Sequence, residues 1–488
     1  MDLLILHPLR AARVPAICQG LFVIASPSPR LPLATKSADA GLFDQSALRT
    51  LAERLVAAAK RAGADAADAI AVRGVSQSVE VRNGRVEESE RSEGDDIGLR
   101  VLVGKRQAVV STNDVNGDGI ERLAERAVAM ARVAPDDQYV GLAKAELLAH
   151  DFPSLDLLDP EVPDVAELER RASEAEAAGL SVKGVTRSDG ASASAGIGGM
   201  VLVTSAGFHG SYLRSSQGIS MTAISGEGTG MERDYDFTSA LHAADLLAPE
   251  RVGRSAGERA VARANPRKVE TCEVPVVFDP RVAGSLVGHL AGAINGGSIA
   301  RKTSFLKDKL GAQLFAKNIR IIDDPLRKRG LRSQSFDAEG VRVKRLSIVD
   351  EGVLTTWLLD SATARELKLE TTGHAHRGVS SPPSPGPYNL HLEPGSLTPA
   401  ELMSDIRQGF YVTDLIGSGV NSVTGDYSRG ASGFWIENGT ITYPVSEVTI
   451  AGHLIEMFKS LAVANDLEFR YGVNAPTLRI EGLTLGGR

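Results

Sequence analysis

Residues 417–452 read GSGVNSVTGDYSRGASGFWIENGTITYPVSEVTIAG, and the fold of the C-terminal half turns on them. The stretch opens as a glycine-rich loop (Gly417, Gly419, Gly425, Gly430, Gly433) and runs into a short β-like segment, Phe434-Trp435-Ile436-Glu437. Asn438-Gly439 supplies the two left-handed residues that a type I′ hairpin turn requires. A second β-like segment, Thr440-Ile441-Thr442-Tyr443, follows, and Pro444 is expected to limit further pairing. Seven glycines in 36 residues describe a chain that turns tightly or lets another backbone approach. On pattern alone this is a glycine-rich antiparallel edge.

Working outward, Val274–Phe278 reads as a buried strand ending at Asp279-Pro280, followed by a helix over 281–294 made largely of small residues. A strand at 319–322 ends in Asp323-Asp324-Pro325, and a hairpin turns at Asp350-Glu351-Gly352. A short helix at 361–369 leads to Thr371-Thr372-Gly373-His374-Ala375-His376-Arg377-Gly378 and a proline-rich loop. A helix at 453–464 and a strand at 477–481 close the chain.

The N-terminal half alternates similarly. A helix with Leu48, Leu51, Leu55, Val56 and Ala59 on one side stops at Gly63. Four β-like runs follow, at 76–82, 85–91, 97–103 and 107–112, with Asn83-Gly84 as a hairpin turn, and then a helix at 119–133. After a linker at 136–160, a helix at 164–178 is expected to end at Gly179. Five short Ser/Gly/Thr-rich runs at 181–187, 191–196, 200–204, 208–213 and 219–224 read as a second antiparallel sheet. Helical patterns around 238–247 and 249–264 end it. The fold class expected is α+β: N-terminal helix and antiparallel-sheet domains at 41–150 and 151–268, then a mainly antiparallel β domain with a few helices at 269–488. Residues 1–40 read as a disordered tail or a misassigned start rather than a secretory signal, because Gln19 and Gly20 interrupt the apolar run.

With 61 acidic and 54 basic residues, the net charge of −7 argues against a general nucleic-acid binder. Two cysteines, Cys18 and Cys272, make no disulfide framework, and a reducing cytoplasm fits. No run is long enough to span a membrane. Asp114-x-Asn116-x-Asp118-Gly119 with Glu125 matches a calcium-loop pattern, but a strand precedes it and Asp118 with Glu121 is read more simply as a helix capping box. His374 and His376 can share a strand face, yet no acidic or thiol neighbour completes a three-ligand metal site. His453 and Glu456 lie one helical turn apart and read as a surface pair. No nucleophile elbow is present.

Several of these stretches resemble the TldD/PmbA family on its PmbA (TldE) side: G-x-N-x-x-T-G-D-Y-S, G-F-x-I-E-N-G and T-I-A-G in 419–452, D-D-P at 323–325, F-D-x-E-G-V at 336–341 and T-T-G-H-A at 371–375. G-L-R-V-L-V-G at 98–104 is similar as well. The resemblance implies a heterodimeric metallopeptidase in which the TldD-type subunit carries zinc on an H-E-x-x-x-H helix plus a C-terminal cysteine. None of the nine histidines here precedes a glutamate. Aligned on the matching helix, Gly288, His289 and Ala293 replace the motif, and Ala475 stands near the cysteine position. The implied reading is a subunit with no catalytic residue and no cofactor of its own. It would pair with a TldD-type zinc subunit, or form a homodimer when isolated, and would hold unfolded peptide without nucleic acid or membrane. His374, His376, Arg377, Asp426 and Tyr427 are the candidate peptide-channel residues. Two alternatives stand beside it: a binding or regulatory protein of the DNA gyrase modulator type, and a self-sufficient hydrolase using His374 and His376.

Overall fold

The structure, a computed structural model, describes residues 44–114 and 119–488. The expectations for 1–40 and for the calcium-loop oxygens of Asn116 and Asp118 fall outside those residues.

Helix α1 (Ser46–Arg61) buries Leu48, Ala52, Leu55, Val56 and Ala59 at helical spacing, and Gly63 (φ +99°) turns the chain out of it. Strands β1 (Ala66–Arg82), β2 (Arg85–Val103) and β3 (Arg106–Thr112) follow, with Asn83 and Gly84 both at positive φ in the first turn. The second and third expected runs are one strand: β2 pairs with β1 from Leu102↔Ala66 to Arg85↔Arg82. Helix α2 (Gly119–Val133) has the expected bounds. Helix α3 (Val165–Leu180) starts at Asp164, whose Oδ1 accepts from the Glu167 N–H at 2.9 Å. Gly179 does not stop this helix. It sits inside it at a close contact, where an added Cβ would fall 2.4 Å from Met221 Cε.

Strands β4 (Val185–Thr204) and β5 (His209–Ser225) fuse four of the five short runs and the end of the other. Where a helix is read around 238–247 the structure has β6 (Glu232–Ala240) and one 3-10 turn at Ala243–Asp245. The inward residues of β6 include Asp234, Asp236 and Thr238, so its period of two carries no hydrophobic signal. Helix α4 (Pro249–Ala262) follows. The expected second sheet is not separate. β1 pairs with β4 from Asp68↔Thr204 to Val81↔Ala191, giving one antiparallel sheet in the order β3-β2-β1-β4-β5-β6.

The unusual strand length has a packing cause. On one face, α1 and α2 cover Ala67, Ala69, Ala71, Leu99, Val201 and Val203, while α3 and α4 cover Val79, Val81, Ala191, Ala193, Ile219 and Met221. Each long strand therefore serves two helix pairs laid end to end. The opposite face presents Ile70, Met200 and Leu202 to Phe208, Phe336 and Val341, and so packs on the C-terminal half.

That half begins with β7 (Cys272–Phe278), α5 (Pro280–Ala293) and α6 (Gly296–Ala300). A small five-stranded sheet gathers β8 (Ile321–Asp323), β9 (Leu346–Asp350), β10 (Val353–Leu354), β13 (Leu390–Leu392) and β18 (Val473–Asn474). Between these lie α7 (Ser361–Leu367) and the two-residue pair β11 (Ala375–His376) and β12 (Ser384–Pro385). After α8 (Pro399–Met403) come β14 (Gln408–Ile416), β15 (Asp426–Glu437), β16 (Thr440–His453), α9 (Leu454–Lys459), β17 (Ala462–Val463) and β19 (Leu478–Gly486). The order β16-β15-β14-β7-β19 closes on itself, because Thr449–Ala451 of β16 also pair with 484–486 of β19. Residues 426–437 and 440–452 of that stretch are thus strands of a closed barrel, while the outer edge of 440–443 lies beyond the closing pairs and has no strand partner among the described residues. Pro444 stays within β16, opposite Phe434 beside a bulge. The closing helix is one short turn, α9, rather than 453–464.

Candidate functional site

Helix α5 is where the family-like zinc motif would fall. Asp279 caps it, accepting from the Arg281 N–H at 2.9 Å, and Pro280 opens it. One side of the helix is core: Ala283, Leu286, Val287, Leu290, Ala291 and Ala293 are buried. On the other side Gly288 is half-buried and Gly292 exposed, and a Cβ added to either would meet nothing within 4 Å. The small residues here leave open space above the helix.

His289 flanks that space. Its ring meets Tyr427 edge-on at 6.0 Å and 75°, and its Nε2 is buried without a hydrogen-bond partner. Burial, with the Arg429 guanidinium nearby, lowers the imidazole to about 4, so it is neutral at pH 7. Tyr427 and Arg429 lie two apart on β15 and share its face. The Tyr427 ring is buried, its hydroxyl has no partner, and burial pushes the phenol up to about 12. Arg429 donates from Nη2 to the Leu415 carbonyl at 3.3 Å, but its Nε is buried and unpartnered.

The loop before β15 is held by its own side chains. Asn421 Oδ1 accepts from the Val423 N–H at 2.9 Å, Thr424 Oγ1 donates to Asp426 Oδ2 at 2.5 Å, and His453 Nε2 lies 2.9 Å from the Thr424 carbonyl. Asp426 is exposed beside Tyr427. His453 and Glu456 do not act together: Glu456 accepts from Lys459 Nζ at 2.8 Å instead.

His374, His376 and Arg377 sit elsewhere, on the seam with the N-terminal sheet. His374 has both ring nitrogens engaged, Nε2 with Asp323 Oδ2 at 3.1 Å and Nδ1 with the Thr372 carbonyl at 2.9 Å. The His376 ring packs against the fully buried Tyr388, tilted 45° with centroids 4.6 Å apart, and burial lowers it to about 4. Arg377, with no exposed side-chain surface, pairs with Asp68, which also accepts from Arg100 at 2.8 Å. Burial raises the Asp68 carboxyl, but the two guanidinium groups outweigh it and hold it below the usual range.

Zinc does not fit the α5 position. Gly288 offers no side chain, Ala293 and Ala475 are methyl groups packed in the core, and the single imidazole, His289, lies next to a cationic guanidinium. Among the described residues no group of three or more His, Cys, Asp and Glu side chains is placed to hold a metal ion.

Residues 67–131, 158–264 and 271–487 match the PmbA/TldA metallopeptidase domain 1, central domain and C-terminal domain, respectively. Metalloprotease PmbA of Escherichia coli O157:H7 is 38% identical over 413 residues, 84% of this chain and 90% of that protein. The chain belongs to the PmbA/TldD family. A metalloprotease PmbA homolog of Haemophilus influenzae is 38% identical over 446 residues, 90% of this chain and 96% of its own. A Bacteroides thetaiotaomicron protein described as a candidate modulator of DNA gyrase superposes with a TM-score of 0.84 at 26% identity, covering 91% of this chain and 99% of its own. TldE of Thermococcus kodakarensis shares the fold alone, with a TM-score of 0.79 at 18% identity over 90% of this chain and 100% of its own. Within this PmbA/TldD member, sequence reasoning singled out His289 and Tyr427 separately and missed both their contact and Arg429. The only available signal was the two-residue spacing of Tyr427 and Arg429 on a β run.

Proposed function

We propose that the chain is the PmbA/TldE-like, non-zinc subunit of a TldD/TldE-type heterodimeric metallopeptidase that degrades or processes unfolded peptides in the cytoplasm. The observation that carries this is the side-chain content at the matched helix: Gly288, His289, Ala293 and Ala475 present no ligand set and no glutamate to polarise water. A TldD-type partner would supply the zinc and the activated water, and this chain would complete the chamber and hold extended peptide. Isolated from that partner, the chain would form a homodimer. No helix among the described residues is long and apolar enough to cross a membrane.

Backbone for strand addition is available. β3 covers only 97–103 of β2, so the outer edge of 85–96 is unpaired among the described residues. The glycine-rich loop 417–425 adds a second surface, where Ile416 (62% exposed) and Val423 (52% exposed) stand out as apolar contacts.

A regulatory binder of the gyrase-modulator type is the second reading, favoured by the description of the Bacteroides relative. A self-sufficient hydrolase on His374 and His376 is disfavoured, since one histidine has both nitrogens engaged and the other packs on a buried tyrosine. The test mixes this chain with a TldD-type partner and an unfolded peptide, with and without chelator. Cleavage that needs both chains and is abolished by chelation is expected. Chelator-insensitive cleavage by this chain alone, lost on His374→Ala, would overturn the proposal. Gyrase binding without any partner-dependent peptidase activity would favour the regulatory reading.

A further inference from the structure

Buried polar atoms in a folded protein almost always have partners, so three orphans in one cluster call for an explanation. His289 Nε2, Tyr427 Oη and Arg429 Nε are all buried and all unpartnered. They belong together: His289 and Tyr427 are in ring contact, Tyr427 and Arg429 share a strand face, and the Arg429 charge acts on both of the others. Tyr427 is only 1% exposed, so its hydroxyl cannot turn out to bulk water.

All three atoms can donate a hydrogen bond, and one of them can do nothing else. A guanidinium N–H can only donate. A phenol held well above neutral pH keeps its proton and donates. A neutral imidazole with its proton on Nε2 donates as well. No carboxylate forms a hydrogen bond or ion pair with Arg429 among the described residues, although most other buried guanidinium groups of this chain have one: Arg100 with Asp68, Arg281 with Asp234 and Arg377 with Asp68. Arg429 therefore calls for an acceptor, and a negatively charged one suits the phenol O–H and the imidazole N–H beside it as well. Its planar oxygens would take two or three charge-assisted hydrogen bonds from this set. The space to admit it lies alongside, over Gly288 and Gly292, where added Cβ atoms would meet nothing.

We infer that His289, Tyr427 and Arg429 form a carboxylate-binding site that receives a carboxylate of an extended peptide, either its C-terminus or an acidic side chain. The inference rests on the peptide-holding role proposed above and gives it a recognition element. In this arrangement the helix position that carries the motif's glutamate in a TldD-type subunit holds His289 here and helps anchor charge.

The experiment measures binding of a fluorescent, unstructured peptide to the full chain, alone and with its TldD-type partner, by anisotropy. Three probes are used: a free C-terminal acid, the C-terminal amide of the same sequence, and that amide with one internal residue replaced by glutamate. The acid is expected to bind about tenfold more tightly than the amide, the equivalent of one charge-assisted hydrogen bond. The glutamate probe reads whether a side chain serves as well. Tyr427→Phe and Arg429→Gln should each weaken acid binding by more than amide binding, bringing the two probes together. Tyr427→Phe is the conservative arm, since it removes one unpartnered oxygen and keeps the buried ring. Equal binding of all three probes, or equal losses for acid and amide in both variants, overturns the carboxylate site and leaves peptide holding intact. Failure of every probe to bind, with and without partner, overturns both.

Discussion

Arg281, in the first turn of α5, donates from Nη2 to Asp234 Oδ1 on β6 at 2.8 Å, with both side chains buried. The guanidinium also lies 4.6 Å from the ring centroid of Tyr235, and on the same strand Asp236 accepts from Arg470 at 2.7 Å. The strand whose inward face carries carboxylates is thus the one that fixes the helix bearing Gly288 and His289. Asp234→Ala should leave a buried guanidinium without its main partner and lower stability by about 3–5 kcal/mol. Asp234→Leu combined with Arg281→Met should recover much of that loss. Urea denaturation of the single and double variants checks it, and a double variant no better than the single one would show that the pair is not the cause.

Gly288 and Gly292 lie in a helix with ordinary φ and open space around them. Gly288→Ala and Gly292→Ala should each raise stability by about 1 kcal/mol, the helix-propensity difference, as read by thermal denaturation. If the same space admits peptide, the stabilised variants will bind peptide less well. Retained binding would place the peptide on another surface.

His376 is lowered by burial first and by the neighbouring His374 second, to about 4, against an unfolded value of about 6.5. A depressed histidine stays neutral in the folded chain while the unfolded chain takes up a proton. Its contribution to stability is therefore complete above pH 6.5 and is lost as pH falls from there toward 4. The slope is about 1.4 kcal/mol per pH unit within that window. His376→Gln should flatten the stability–pH curve by about one proton between pH 6.5 and 4, relative to the parent chain. An unchanged curve would mean that the ring reaches water.

The purified chain is expected to carry no stoichiometric zinc, because Gly288, Ala293 and Ala475 have no donor atoms in their side chains. Elemental analysis after mild dialysis checks this. One zinc per chain would point to a site built from other residues, with His374 and His376 the first to substitute.

Taken element by element, what the sequence could tell depended on how local the physical cause was. The Asn83-Gly84 and Asn438-Gly439 turns, the bounds of α2 and the start of α3 near Asp164 were legible because each is set within a few residues by φ preference, side-chain capping or helical period. The ordered motifs from 323 to 452 were legible as a family pattern in the same way. The missing zinc ligands were too, since a methyl group or a hydrogen cannot coordinate in any fold.

Strand length was not legible. β2, β4 and β5 look interrupted because their Ser/Gly segments lack bulk, yet pairing on both flanks carries β4 and β5 through. β6 was misread because its buried positions hold Asp234 and Asp236, whose partners Arg281 and Arg470 come from the other half of the chain. Barrel closure depends on β16 meeting β19, and the donor cluster depends on α5 meeting β15. Which histidine is engaged, buried or poised beside open space followed from the same long-range packing. Sequence alone determined local conformation and the residue types available for chemistry. Tertiary structure decided which of those residues meet, because burial and electrostatic partnership are properties of segments brought together from distant parts of the chain.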